Sequence, residues 1–162
     1  MDRAVTLAYW PLRATLVLLF AGVTVLQTLS FPGQFRYRES IGEMTGGERW
    51  SATFLVGYEF LCLQVVLVAT WMLLGHVRRD RIFDRSSFRW VDTIICAVAA
   101  AGLVPAGLLA ALALFGELDD PGLPFLLTVV GLGCLLLVLL MVVMRSLLRQ
   151  ATTLRADMDA VI

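Results

Sequence analysis

Residues 125–144 read FLLTVVGLGCLLLVLLMVVM and contain no charged side chain. A transmembrane helix needs about 20 mostly apolar residues, because the hydrocarbon core of a bilayer is roughly 30 Å thick and a helix rises about 1.5 Å per residue. This stretch therefore predicts a membrane-spanning helix. Three further mostly apolar stretches of suitable length lie at 12–30, 52–75 and 91–116.

The composition agrees with a membrane protein. Of the 162 residues, 59% are hydrophobic and 16% are charged, with a mean hydropathy of +0.84, whereas a soluble domain carries about 25% charged residues. We expect one all-α integral membrane domain over 1–162, a bundle of four transmembrane helices without a soluble domain. The first apolar run is about 19 residues long and exceeds the usual 7–15 of a secretory signal, which predicts an uncleaved anchor.

The distribution of arginine predicts the orientation. All 13 basic residues are arginines, and ten of them lie before or at the very start of the first span, between the second and third spans, or after the fourth. Basic residues of short loops stay on the cytoplasmic side, so both termini are expected in the cytoplasm. The absence of lysine is typical of a GC-rich bacterial genome, and we expect a multi-pass protein of the bacterial inner membrane.

Several classes of function are disfavoured by what the sequence contains. The formal net charge is zero, which is not the basic footprint of a protein that binds nucleic acid directly. There is a single histidine, His76, and the three cysteines fall on three different spans, so neither a metal site nor a redox pair is indicated. No motif supplies a nucleophile, a base or a cofactor site. We therefore expect a protein that is not an enzyme and has no cofactor.

Glu59 is the candidate functional residue inside the membrane. It lies about seven residues into the second span, or roughly 10 Å along the helix axis. A carboxylate at that depth needs a partner, a water path or a proton. It is either a proton-coupled or cation-binding group facing the bundle interior, or a structural group that is protonated or paired with Tyr58, Gln27 or an outer-loop arginine.

Other polar residues of the spans are interpreted as structural. Gln27 and Gln64 are expected to form hydrogen bonds between helices, each worth on the order of 1 kcal/mol. The inner loop, residues 76–90, joins the second span to the third. Asp92, at the start of the third span, is expected to form an anchoring ion pair with Arg89 or another arginine of this loop. The outer connection 31–51 contains proline and glycines that break regular structure, and its aromatic rings suit the headgroup region. It is predicted to be a partly ordered interfacial connector, with a ligand-sensing lid as the alternative.

The inner loop and the tail 145–162 form the candidate surface for a partner or for lipid. Apolar tail residues recur at steps of four and three, which places them on one face of an amphipathic helix. That face could dock on the inner loop, the membrane surface, another copy or a soluble partner. The candidate contact residues are Arg78, Arg79, Arg81, Phe83, Arg85, Trp90, Leu154, Arg155 and Met158.

Two short segments resemble a bacterial membrane family. RIFD at 81–84 followed by FRWVD at 88–92, and ATTLRADMDAVI at 151–162, look like the inner loop and the C-terminal ending of the domain-of-unknown-function 2975 family. The resemblance implies four spans and no established biochemical activity or agreed catalytic residues. Members often are encoded beside a small helix-turn-helix regulator, which implies the membrane component of a regulatory pair.

Three hypotheses follow for the function. The first is a non-enzymatic membrane protein that presents its inner loop and tail to a cytoplasmic regulator. The second is a small oligomeric transporter or channel that uses Glu59, since four helices enclose little room for a polar pathway. The third is a protein of envelope immunity or stress protection. Membrane lipids, the regulator and further copies of the chain are the expected partners.

Overall fold

The computed structural model describes residues 3–78, 85–115 and 122–159, with side chains described over 9–75, 89–114 and 122–150. Over these ranges the chain is helical and contains no strand. The elements in chain order are α1 (Arg3–Val25), a π-helical segment (Leu26–Ser30), α2 (Phe31–Ser40), α3 (Gly46–Arg78), α4 (Arg85–Phe115) and α5 (Gly122–Asp159).

Four helical segments are long and apolar enough to cross a membrane. They are Tyr9–Ser40, Gly46–Gly75, Arg89–Leu114 and Gly122–Gln150. These segments contain the four predicted spans almost entirely and extend past most of their ends, and the all-helical fold class with four membrane-spanning helices is confirmed. The tail is helical as far as Asp159, in one unbroken helix with the fourth span.

The break in regular structure predicted between 31 and 51 is confined to 41–45. α1 runs through the π-helical segment directly into α2, and only Ile41–Thr45 separates α2 from α3. Pro32 has no backbone N–H and cannot bond to the carbonyl of residue 28. The helix accommodates this with a wider turn, in which the Phe31 N–H bonds to the Leu26 carbonyl five residues earlier. Proline then occupies the first turn of α2, where a missing donor costs little.

A tight turn and a capping motif define the start of α3. Gly42 has φ of 80°, a left-handed conformation that glycine adopts without strain. The backbone N–H of Thr45 donates to Glu48 Oε2 at 2.7 Å, and the backbone N–H of Glu48 donates to Thr45 Oγ1 at 3.4 Å. This reciprocal pair is a capping box, which satisfies backbone donors that the helix cannot pair internally.

The helices pack as a row in chain order. α1 and α2 pack on α3, α3 packs on α4, and α4 packs on α5. In the described ranges α1 makes no contact with α4 or α5, and α3 makes none with α5. Among the residues whose side chains are described, only six hydrophobic ones are buried, namely Leu16, Val23, Cys62, Ala69, Ile94 and Ala97. Such wide exposure suits a membrane, because lipid tails are as apolar as leucine.

Interhelical contacts establish that neighbouring spans are antiparallel. Arg13 of α1 lies against Trp71 of α3, and Asp92 at the start of the third span pairs with Arg145 near the end of the fourth. These four residues therefore lie on one side of the helical row, which we call the Arg145 side. Trp50, at the beginning of α3, marks the opposite side, which we call the Trp50 side.

Candidate functional site

Hydrogen bonds join α3 to both of its neighbours inside the apolar region. Gln27 Nε2 donates to the Gly57 carbonyl at 3.2 Å, and Gln64 Nε2 donates to Thr24 Oγ1 at 3.1 Å. On the other side of α3, Tyr58 Oη donates to the Ala100 carbonyl of α4 at 3.3 Å. The prediction that Gln27 and Gln64 link helices is confirmed.

Glu59 lies on a part of α3 that is turned toward neither of these interfaces. At about 100° per residue, position 59 is on the same face as Leu63, Val66 and Thr70. Its side chain is half-buried. Over the described residues its carboxylate has no hydrogen-bond or ion-pair partner.

The partners predicted for Glu59 are engaged elsewhere. Gln27 binds the Gly57 carbonyl and Tyr58 binds that of Ala100. Arg49, from the predicted outer loop, forms an ion pair with Glu39 at 2.9 Å. Within the described chain, the structure thus leaves Glu59 without a basic side chain or a second carboxylate as a partner, and able to hold a proton or to attract a cation.

Aromatic and charged side chains anchor the α1–α3 hairpin at its two ends. On the Arg145 side, the Arg13 guanidinium lies 4.3 Å from the ring centre of Trp71 and donates to Tyr9 Oη at 3.0 Å. A cation over a tryptophan face is attracted by the ring quadrupole. On the Trp50 side, the rings of Phe31 and Phe60 are 5.3 Å apart.

Asp92 does form an anchoring ion pair, but the predicted partner was wrong. Its Oδ2 accepts from Nη2 of Arg145 at 2.8 Å, joining α4 to α5. Arg89 lies only three residues away in sequence, whereas the antiparallel course of α5 brings a residue 53 positions later alongside. The Oδ1 atom of Asp92 is buried and has no hydrogen-bond partner among the described residues.

The rest of the α4–α5 interface depends on small residues. A Cβ built at Gly102 would lie 3.2 Å from the Cβ of Cys134, closer than ordinary van der Waals contact. Eight described residues of α5 are half-buried, and all of them except Gly133 recur at alternating steps of three and four. These seven define the α4-contact stripe: Pro124, Leu127, Gly131, Cys134, Val138, Met141 and Arg145. This spacing keeps one face of α5 toward one neighbour.

A groove of about 410 Å³ remains between α4 and α5. Its walls are apolar apart from Thr128, whose hydroxyl donates to the Pro124 carbonyl of its own helix. With no free polar group in its described wall, the groove suits the hydrocarbon of lipid tails. The single-sequence pattern did not indicate it, since it depends on the register of two helices.

The candidate surface of the inner loop and tail is only partly described. Arg78 ends α3 and Arg85 begins α4, while Trp90 is half-buried within α4. Leu154, Arg155 and Met158 belong to the helical backbone of α5. Arg79, Arg81 and Phe83 lie outside the described residues. The sequence-based assignment of this surface therefore stays a prediction.

The described residues contain no group of three or more His, Cys, Asp or Glu side chains that could hold a metal ion. The architecture is that of a multi-pass helical membrane protein. Residues 33–162 match the family described as "Protein of unknown function (DUF2975)", and the chain belongs to that family. The resemblance seen in the two short segments is thereby confirmed. Comparison with curated proteins and with solved structures gave no match.

Proposed function

We propose that the protein is a non-enzymatic docking protein of the bacterial inner membrane, with both termini in the cytoplasm, that holds a helix-turn-helix regulator at its projecting tail. The observation that carries this proposal is the length of α5. The helix continues to Asp159, 15 residues past Met144, the last residue of the apolar run. At about 1.5 Å per residue, this extension is roughly 22 Å long.

The Asp92–Arg145 pair supports the view that the extension stands clear of its neighbour. α4 begins at Arg85, seven residues before Asp92. Because the two helices are antiparallel, α4 can accompany α5 for only about seven residues past Arg145. The positions after about 152 then lie beyond the end of α4 and offer a helix surface to a partner.

The chemistry of the extension suits a protein partner. Between 146 and 159 the sequence alternates apolar residues with Arg149, Arg155, Asp157 and Asp159. The charged side chains of an amphipathic helix give specificity to its contacts with a protein partner. The inner loop joins the end of α3 to the start of α4, and both of these helix ends lie on the Arg145 side. Together with the extension of α5, this loop would form the surface that binds the regulator.

The test is chemical cross-linking in cells, followed by purification of the tagged protein. The full-length chain is compared with a chain that ends at Leu148 and with the variants Arg155→Glu and Arg38→Glu. Arg38 serves as the matched control, because it is an exposed arginine in α2 on the opposite side of the membrane spans. Insertion of each protein is checked by membrane fractionation.

The expected result is a DNA-binding protein that co-purifies with the full-length chain and with Arg38→Glu, and is lost from the truncated chain and from Arg155→Glu. Equal recovery from the full-length and truncated chains would contradict the proposal. So would the absence of any DNA-binding protein from correctly inserted full-length protein.

A second candidate function is a small oligomeric transporter that uses Glu59. The observation that favours it is the half-buried carboxylate without a partner in the described residues. Proton- or cation-dependent flux into proteoliposomes should then be lost in Glu59→Gln, which keeps the size of the side chain and removes its charge. Glu43→Gln, in the turn between α2 and α3, is the control. Flux that survives in Glu59→Gln would exclude this mechanism.

A further inference from the structure

We propose that a second copy of the same chain packs against the face of α5 that points away from α4, and that the contact runs from the membrane into the projecting extension. The face is defined by nine residues that recur at steps of three and four, which we call the outward stripe. Its members are Val129, Gly133, Leu136, Leu140, Val143, Leu147, Ala151, Leu154 and Met158.

The geometry of α5 places this stripe opposite its neighbour. At about 100° per residue, the nine positions stay within roughly 40° of one line along the helix. The mean direction of the α4-contact stripe lies about 170° away from that line. The apolar positions of the extension therefore lie on the side of α5 opposite the α4-contact stripe.

The surroundings of the stripe change along its length. Within the membrane, Leu136 and Leu140 are 66% and 56% exposed, and contact with lipid tails makes such exposure ordinary. The apolar run ends at Met144, so the line past Arg145, which begins with the 54% exposed Leu147 and continues beyond Gln150, is expected to leave the hydrocarbon for water. Apolar surface in water favours burial in proportion to its area. Burial of this apolar continuation against another protein surface is therefore favourable.

A second copy is the occupant that fits both environments. Lipid can cover only the membrane part of the stripe, and a soluble protein only the aqueous part. Of the described helices, α4 alone contacts α5, and it does so on the opposite face. A second copy inserted in the same orientation brings an identical stripe to the same depth, which gives a two-fold symmetric, parallel contact. Alternating steps of three and four are also the spacing by which paired helices interlock.

The stripe offers enough surface for a stable pair. Seven of its nine members are valine, leucine or methionine, and burying a side chain of this kind removes roughly 60–120 Å² of apolar surface. The seven together reach about 400–800 Å² on each copy, up to the roughly 800 Å² per partner of a standard interface. A Cβ built at Gly133 would meet nothing within 4 Å, so the two backbones can approach closely there.

This pairing goes beyond the proposed function and does not depend on it, because self-association requires no regulator. In a pair, the two extensions cover each other's apolar line. The charged faces beside that line stay open on both copies. A regulator would then meet a platform of two parallel helices.

The first test is cysteine cross-linking of the full-length chain in native membranes. Cys62, Cys96 and Cys134 are replaced by alanine, and single cysteines are introduced as Leu140→Cys and Leu147→Cys on the stripe. Leu135→Cys and Leu148→Cys are the matched controls. They lie about 120° and 100° around the helix from the stripe.

Mild oxidation should give covalent dimers at positions 140 and 147 and only background at positions 135 and 148. Three outcomes would overturn the proposal. Equal cross-linking at all four positions would indicate random collision. Cross-linking at position 140 without position 147 would confine the contact to the membrane part of the stripe. The third outcome is the absence of any dimer from protein that is fully inserted.

A second measurement isolates the aqueous half. Energy transfer between labelled full-length chains in lipid vesicles reports self-association, and Leu154→Asp is compared with Thr153→Asp. Position 153 is about 120° from the stripe on the same helix turn. Leu154→Asp should weaken self-association about tenfold or more, equivalent to at least 1.4 kcal/mol, while Thr153→Asp leaves it unchanged. Equal effects of the two variants would refute pairing through the extension, whatever the outcome of the regulator experiment.

Discussion

Replacing Gly102 by alanine tests whether α4 and α5 are held at the distance that the structure shows. The new Cβ would lie 3.2 Å from the Cβ of Cys134, whereas ordinary contact begins at 3.4 Å. Both atoms are fixed to helical backbones, so no flexible side chain can move aside. The helices must separate by several tenths of an ångström or shift along each other.

The expected free-energy change combines two opposing effects. Overpacking a close contact costs about 1–3 kcal/mol. Replacing glycine by alanine within a helix favours the folded state by about 1 kcal/mol. Gly102→Ala should therefore destabilise the protein by about 0–2 kcal/mol. Gly107→Ala, where a Cβ meets nothing within 4 Å, should be neutral or stabilising by up to about 1 kcal/mol.

The assay is unfolding by SDS in mixed micelles, followed by tryptophan fluorescence, with a double-mutant cycle at Cys134. Cys134→Gly removes the opposing Cβ and should convert Gly102→Ala into a stabilising change, with a coupling energy of about 1–3 kcal/mol. Cys134→Ala keeps the Cβ and should show almost no coupling. If Gly102→Ala is stabilising only when residue 134 has no Cβ, then the Cβ of residue 134 is the atom that the new side chain contacts.

Two results would refute this reasoning. Because the gain from alanine is common to both sites, Gly102→Ala should be less stable than Gly107→Ala by the overpacking cost of about 1–3 kcal/mol, and equal free energies of unfolding for the two variants would be one such result. The other is a coupling energy that is the same in the Cys134→Gly and Cys134→Ala backgrounds. Either would mean that the α4–α5 interface does not depend on the close approach at Gly102.

Three further predictions concern polar contacts, each measured by the same unfolding assay. The side chains of Asp92 and Arg145 are 39% and 42% exposed. The pair should therefore show a coupling energy of only about 0–1 kcal/mol, which decreases with added salt. A coupling energy above this range, or one that is insensitive to salt, would contradict this prediction. Gln64→Leu should lower the free energy of unfolding by about 1 kcal/mol through loss of one interhelical hydrogen bond, and an unchanged value would contradict this. Trp71→Leu should cost about 0.5–2 kcal/mol in cation–π attraction at Arg13, and this loss should disappear in an Arg13→Leu background.

The membrane-spanning fold could be predicted because it depends on local composition. A run such as 125–144 requires a helix wherever it meets lipid, since unpaired backbone groups are too costly there. The interhelical roles of Gln27 and Gln64 followed from the same argument. The helical course of 31–40 could not be predicted so simply. Its proline and glycine suggested a loop, and the π-helical turn that admits Pro32 into a continuous helix has no clear sequence signal.

Contacts between helices were less accessible from the sequence. The partner of Asp92 depends on the register of α4 against α5, which no single stretch of sequence encodes. The isolation of Glu59 likewise became visible only when Gln27 and Tyr58 were seen to bind backbone carbonyls. The sequence identified polar residues that need a partner in an apolar region. The packing of the helices determined which partner, if any, each of them has.

The row of helices has a consequence for how the protein is assembled and how its energy is distributed. Within the described ranges, each spanning helix contacts only the spans next to it in the chain. Every interface can therefore form as soon as the later helix enters the membrane, without waiting for a distant segment. The free energy then approximates a sum of nearest-neighbour contributions, as in linear repeat proteins. Changes at the α1–α3 and α4–α5 interfaces should therefore be additive. Pulled from its C-terminal end, the protein should unravel in steps, with α5 leaving first while the other spans remain in place.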